Sequence, residues 1–239
     1  MSYKKLIKLD SERFYDDRNI KNYYKTKDSN FVKRISCSQN LGYSVCTLSL
    51  LGNLNVGTIM RTAQMFGVDK YFVFGRRIFD NRSTVGSEKY MNVVRVFGIE
   101  GFDENQDMRL MSKIKLEDRI LCPIKFYDTM IKYNLVPVFI EQTADAIYDD
   151  QVNWNLMHAK IPEGKQLCFV FGNEGDGISK EILDVGKHIP GSFVICIRQL
   201  GALQSLNVSA AAAMIMYNYK SWAIKRRLDY LDLNLDTKN

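Results

Sequence analysis

The chain alternates between short apolar runs and amphipathic stretches. Residues 44–50 (SVCTLSL) form an apolar, β-rich run, the pattern of a buried strand. After the loop GNLN, apolar residues recur at helical spacing: Val56, Ile59, Met60, Ala63 and Phe66 share a face, which predicts a helix over 56–66. Asn55 suits the start of that helix as a cap, and Gly67 its end. Residues 71–74 (YFVF) read as a second buried strand. A strand–helix–strand unit of this kind implies a parallel sheet. The pattern then predicts a strand over 92–97, a helix over 123–134 opened by Pro123, and strands over 135–140, 167–171 and 193–197. A short helix over 178–185 and a long one over 205–227 complete the set. The long helix ends on Lys220, Lys225, Arg226 and Arg227, which complements its dipole. Pro137 has no N–H to give a ladder, so it marks 135–140 as an edge strand or a bulge. The fold class is α/β, a mostly parallel sheet flanked by helices.

Three stretches fall outside this rhythm. Residues 1–40 are weakly helical and read as an appended arm on a body spanning 41–228. Residues 99–119 are charged and irregular, an insertion, and 229–239 form a polar tail. The arm holds ten Lys/Arg against five Asp/Glu, so it carries nearly all of the net charge of +6. It also holds Phe14, Tyr15, Tyr23, Tyr24 and Phe31. Cations for phosphates and rings for unstacked bases suit contact with RNA. The alternative is an amphipathic segment packed on the body.

Composition narrows the classes. With 46% hydrophobic and 25% charged residues in 239, the chain is globular rather than disordered or fibrous. No apolar run reaches the roughly 18 residues of a membrane span, and the N-terminus has no secretory core. The expectation is an intracellular protein, cytoplasmic or nuclear, with no membrane partner. Five cysteines without a CxxC pair give no disulfide or zinc framework; Cys46, Cys168 and Cys196 lie in apolar runs as small buried hydrophobes. Two histidines, His158 and His188, are too few for a three-histidine metal site, and no metal is expected.

Three segments follow the carboxyl ends of predicted parallel strands, where open α/β sheets bind ligands. They are NLNVGTIMR (53–61), FGNEGDGIS (171–179) and IRQLGALQSLNVSAA (197–211). The glycines of the second permit a tight turn, but neither GxGxxG nor GxxxxGK[ST] is present, which argues against a dinucleotide oxidoreductase or a P-loop enzyme.

Together the segments resemble the three motifs of the SpoU (TrmH-like) RNA 2′-O-ribose methyltransferases of the SPOUT superfamily: NVGTIMRTAQMFG against NxGxxxRTAxxFG, GNEGDGI against GNExxGI, and IRQLGALQSLNVSAA against IPxxGxxxSLNVSxA. The one departure is Arg198 in place of the usual proline, a residue free to add an RNA contact or to loosen the loop. The resemblance implies a C-terminal deep trefoil knot, a homodimer, and S-adenosylmethionine (SAM) as methyl donor. It places SAM against Phe171, Gly172, Asn173, Gly177, Ile197, Leu200, Ser205, Leu206 and Asn207. It places Arg61 at the reaction, with Asn55, Glu174, Ser205 and Asn207 around it. Arg76, Arg77, Arg82, Lys89 and Arg198 are the candidate RNA contacts. The implied reaction is methyl transfer to a ribose 2′-hydroxyl of tRNA or rRNA. The EQTADAI run at Glu141 and the shortness of the arm favour tRNA. A non-catalytic RNA-binding scaffold that keeps the knot is the alternative, and the intact Asn55, Arg61, Glu174, Ser205 and Asn207 argue against it.

Overall fold

The computed structural model describes residues 7–9, 13–15, 18–75, 82–101, 115 and 119–236, with 7–9, 13–15, 53 and 228–236 as backbone only. Arg76 and Arg77, and most of the insertion, lie outside the described residues.

Seven parallel strands form one sheet: β3 (Tyr43–Leu48), β4 (Lys70–Phe74), β5 (Asn92–Val96), β6 (Leu135–Ile140), β7 (Ile147–Tyr148), β8 (Gln166–Phe171) and β9 (Phe193–Cys196). Their order is β5-β4-β3-β8-β6-β9-β7. In the arm, Ile7–Leu9 (β1) pairs antiparallel with Arg13–Tyr15 (β2). Helices α1 (Ser29–Ser38), α2 (Asn53–Met65), α3 (Pro123–Lys132), α4 (Trp154–Ala159), α5 (Lys180–Lys187) and α6 (Val208–Asp236) cover the sheet.

Alternation along the strands splits the core into two layers. On one face Phe74 and Phe139 meet Phe126 of α3, and Phe72 meets its C-cap residue Tyr133. On the other, Tyr43 and Phe169 pack on Tyr219 of α6, and Trp154 of α4 closes that cluster. Both faces are covered, which is why β3, β6 and β8 read as continuous apolar runs. Cys46 and Cys168 are fully buried, and burial raises both thiols well above their ordinary range.

Several boundaries differ from the sequence reading. Pro137 sits in a strand interior to the sheet, not on an edge. The β9 ladder begins only at Val138↔Phe193, however, so at Pro137 β6 is paired on its β8 side alone, as an edge strand would be. Helix α2 starts before Asn55, with Gly52 at the cap position, because the Asn55 side chain is used elsewhere; Gly67, at φ 73°, follows its end as expected. Helix α6 begins at Val208 rather than 205, and its backbone runs on to Asp236 through most of the stretch read as a tail. No Gly or Pro interrupts it there. The elements β7 and α4 escaped the sequence reading, being too short to show a period. The insertion leaves and returns at one point, where Ile99 bridges Leu121.

Candidate functional site

The chain ends of β3, β8, β6 and β9 lie side by side, and the three motif segments leave the sheet there. One carboxylate gathers them. Glu174 Oε2 accepts from the Leu51 amide at 2.7 Å, and Oε1 accepts from the Gly52 amide at 3.0 Å and from Asn55 Nδ2 at 2.7 Å. This places a negative charge at the start of α2, which has no side-chain cap of its own. Asn55 Oδ1 in turn accepts from Asn207 Nδ2 at 3.2 Å. Asn207 Oδ1 accepts from the Ser209 amide at 2.9 Å and the Ala210 amide at 3.4 Å, so it caps α6. Glu174, Asn55 and Asn207 form a continuous hydrogen-bonded chain across all three segments. Partial burial pushes the Glu174 carboxyl upward, but its hydrogen bonds from Asn55, Leu51 and Gly52 outweigh that and hold it below the usual range, charged at neutral pH.

The loop after β8 closes on itself. Asn173 and Gly177 exchange both backbone hydrogen bonds, at 3.0 and 3.1 Å, and Asn173 Oδ1 accepts from the Gly175 amide at 2.6 Å. Gly177 takes φ 66°, a conformation that disfavours a side chain. Gly172 faces it so closely that an added Cβ would lie 2.3 Å from the Gly177 carbonyl carbon. Glu141, at the end of β6, braces the loop from outside: its Oε2 accepts from the Ile178 amide at 2.8 Å. Gln142 Nε2 donates to the Gln204 carbonyl at 2.7 Å and ties in the third segment.

These loops enclose a cleft of about 410 Å³. Phe171, Gly172, Asn173, Gly177, Ile197, Ser205, Leu206 and Asn207 line it as expected; Leu200 does not, and is 94% exposed. Glu141, Gln142 and Gln204 also line it and were missed as site residues. Among the described residues the lining carries three carboxylates, Glu141, Glu174 and Asp176, and no Lys or Arg.

Arg61 lies elsewhere. It stands six residues beyond Asn55 on α2, about 9 Å along the helix axis. It lines a second cleft of about 890 Å³ and makes no hydrogen bond or ion pair with a described residue. Arg82 and Lys89 are exposed on the segment whose Thr84, Ser87 and Tyr90 line that cleft. Arg198 turns away from both clefts toward β7. Its Nε and Nη2 bind the Asp150 carboxylate at 2.9 and 3.3 Å, and its guanidinium carbon lies 3.8 Å from the centre of the Tyr148 ring. Its amide donates to Asp149 Oδ1 at 2.8 Å. In this arrangement the Arg198 fork is engaged by Asp150 within the chain, at the surface of the protein.

Comparison with known proteins follows this geometry. Residues 125–217 match the family model described as the SpoU rRNA Methylase family; the second and third segments fall inside that stretch, the first outside. The fold resembles the A. aeolicus TrmH/SpoU tRNA modifying enzyme at 18% identity and TM-score 0.59, covering 84% of this chain and 85% of that one. It also resembles an AdoMet-bound rRNA methyltransferase from Sinorhizobium meliloti (18% identity, TM-score 0.51, 78% and 58% covered). A third likeness is the SpoU methyltransferase AviRb from Streptomyces viridochromogenes (19% identity, TM-score 0.50, 78% and 61% covered). This chain thus spans about six-tenths of the latter two. No curated protein sequence matches the chain.

Proposed function

We propose that the chain is a SpoU-type methylase, a reading supported by residues 125–217, which match that family's model. It is an RNA methyltransferase, and its methyl donor is SAM. The finer reading is transfer to a ribose 2′-hydroxyl, with tRNA preferred to rRNA. The observation that carries it is the opposite charge of two clefts along one helix. The cleft at the start of α2 is lined, among the described residues, by three carboxylates and no cation. The cleft farther along α2 is lined, among the described residues, by Lys21, Arg61, Lys220 and Arg227 and no carboxylate.

SAM fits the first cleft by the chemistry of its lining. It carries a sulfonium and an ammonium, which carboxylates favour, whereas a dinucleotide brings phosphates that Glu141, Glu174 and Asp176 would repel. Phe171, Ile197 and Leu206 offer an apolar slot for an uncharged ring, and Gly172 and Gly177 leave the backbone accessible. When bound, SAM supplies an electrophilic methyl group. The chain's own residues must align the acceptor and lower the cost of charge on its oxygen. A guanidinium is in general a fixed cation with no acceptor site, so the role given to Arg61 is to stabilise negative charge on the acceptor oxygen or to orient a phosphate beside it. Glu174, Asn55 and Asn207 position Arg61 by fixing the start of α2 against the other two loops. A thermal melt tests the cofactor assignment. SAM is expected to raise the midpoint and NAD to leave it unchanged; protection by NAD alone contradicts the assignment.

The Arg198 clamp belongs to the same reading. It ties the start of the third loop to Asp150, so Arg198→Ala is expected to weaken SAM binding by about two- to fivefold, the scale of an exposed ion pair. Asp150→Asn should match it, and the double variant should add nothing further. A loss of RNA affinity with SAM binding intact would make Arg198 an RNA contact after all.

The homodimer and the trefoil knot are part of the proposal. The knot is supported by a strand order in which β8 lies between β3 and β6, although the chain reaches β6 first. The dimer is supported by Leu54, Leu200 and Leu203, which stand 74%, 94% and 82% exposed around the first cleft's loops and are apolar surface for a second copy to cover. Sedimentation is expected to give twice the chain mass of 27.6 kDa; a species of 27.6 kDa at micromolar concentration contradicts the dimer.

A further inference from the structure

We propose that the N-terminal arm is a built part of the RNA-binding site: its 19–24 turn and helix α1 wall the second cleft, with Lys21 holding a phosphate and Tyr24 stacking on a base of the strand that carries the acceptor. This rests on the RNA methyltransferase reading and extends it to a segment outside the matched stretch.

The arm is fixed, not draped. Arg18 Nη2 donates to the Lys27 carbonyl at 2.8 Å and closes the turn. Asp28 caps α1 by accepting from the Asn30 and Phe31 amides at 2.8 and 3.3 Å. Val32 is buried, and Gln64 Nε2 of α2 donates to Ser36 Oγ of α1 at 2.9 Å. The Leu41 amide donates to the Gly67 carbonyl at 2.8 Å and pins the arm's exit to the end of α2. The arm therefore holds Lys21 and Tyr24 over the same helix that carries Arg61 and Asn55. Tyr23 packs edge-on against Tyr24, with ring centres 5.4 Å apart, and sets its orientation.

The chemistry of the cleft selects its occupant. Four cations, Lys21, Arg61, Lys220 and Arg227, line it without a carboxylate among the described residues; the half-buried Tyr24 ring stands in its wall, and Lys220 lies over the Phe66 ring, 4.7 Å from its centre. Uncompensated positive charge interleaved with aromatic faces is what a single-stranded or splayed nucleic acid requires. A second copy of the chain fits poorly, because a two-fold contact through this cleft would set the same four cations against each other.

The test is binding of a labelled total tRNA pool to the full chain, without SAM, from about 50 to 200 mM salt, where phosphate contacts dominate the salt response. Lys21→Ala is expected to lower the slope of log K against log salt by about 0.7–0.9, one phosphate contact. Tyr24→Ala is expected to weaken binding about tenfold with the slope unchanged, and Tyr24→Phe to restore it. Lys27→Ala, on the same arm and outside the cleft, is expected to bind as wild type. Unchanged affinity and slope in Lys21→Ala and Tyr24→Ala would overturn the proposal. So would a change in solution mass in place of RNA affinity, which would assign the face to a second copy. Failure of an RNA-binding wild type to transfer methyl groups counts against the methyltransferase reading; unchanged binding in the variants of an active wild type counts against the arm.

Discussion

Replacing Arg61 with alanine is expected to slow methyl transfer by about 10²–10³-fold, the usual effect of losing one electrostatic group at a reacting centre. SAM affinity should stay within about twofold of wild type, because Arg61 lines the second cleft and not the first. The loss should therefore fall on kcat with saturating SAM. Arg61→Lys keeps the charge but loses the planar fork, so it should recover only part of the rate. The side chain is exposed and makes no hydrogen bond or ion pair with a described residue, so the thermal midpoint should not move. Full activity in Arg61→Ala would remove this residue from the reaction. A parallel loss of SAM binding would give it a loop-holding role instead.

Gly172→Ala is expected to act on the other cleft. The added Cβ would meet the backbone of Gly177 at 2.3 and 2.5 Å and the Ile178 amide nitrogen at 2.7 Å. Backbone cannot swing aside as a side-chain tip can, so the loop must open and give up the paired Asn173–Gly177 hydrogen bonds. Overpacking of this kind costs about 1–3 kcal/mol, a fraction of the roughly 5–15 kcal/mol of a folded domain, so the chain should remain folded with a midpoint lowered by several degrees. Binding SAM requires the loop in its wild-type shape, so recovering that shape costs the complex about the same 1–3 kcal/mol, and SAM affinity by calorimetry is expected to fall about tenfold. Wild-type SAM binding in Gly172→Ala would show that the first cleft is not the cofactor site.

The legible parts of this protein are those fixed by local chemistry. Buried parallel strands cannot hide, because a run such as LCFVF has no other use, and the three motif segments announce themselves by Asn and Gly in turns between apolar runs. Their convergence was legible as well: Asn55, Glu174 and Asn207 meet as one hydrogen-bonded chain. The misreadings share a cause, which is a partner distant in sequence. Asn55 has the chemistry of a cap, but Glu174, more than a hundred residues on, claims its side chain. Pro137 has the chemistry of an edge, and only the late start of β9 reconciles it with an interior strand. The Arg198 clamp was hidden for the same reason, since nothing near it in the sequence shows that Tyr148 and Asp150 come to lie beside it. Glu141 lies at the end of a strand with nothing in its neighbours to say that it braces the Gly177 turn.

The central claim is methyl transfer to RNA at a ribose oxygen. It is tested most directly by incubating the purified full chain with methyl-labelled SAM and, separately, total tRNA and total rRNA, then digesting to nucleosides for mass spectrometry. The expected result is a 2′-O-methyl nucleoside from the tRNA pool, strongly reduced with Arg61→Ala. Label on a base, or no label from either pool with a protein that binds SAM and RNA, would contradict it.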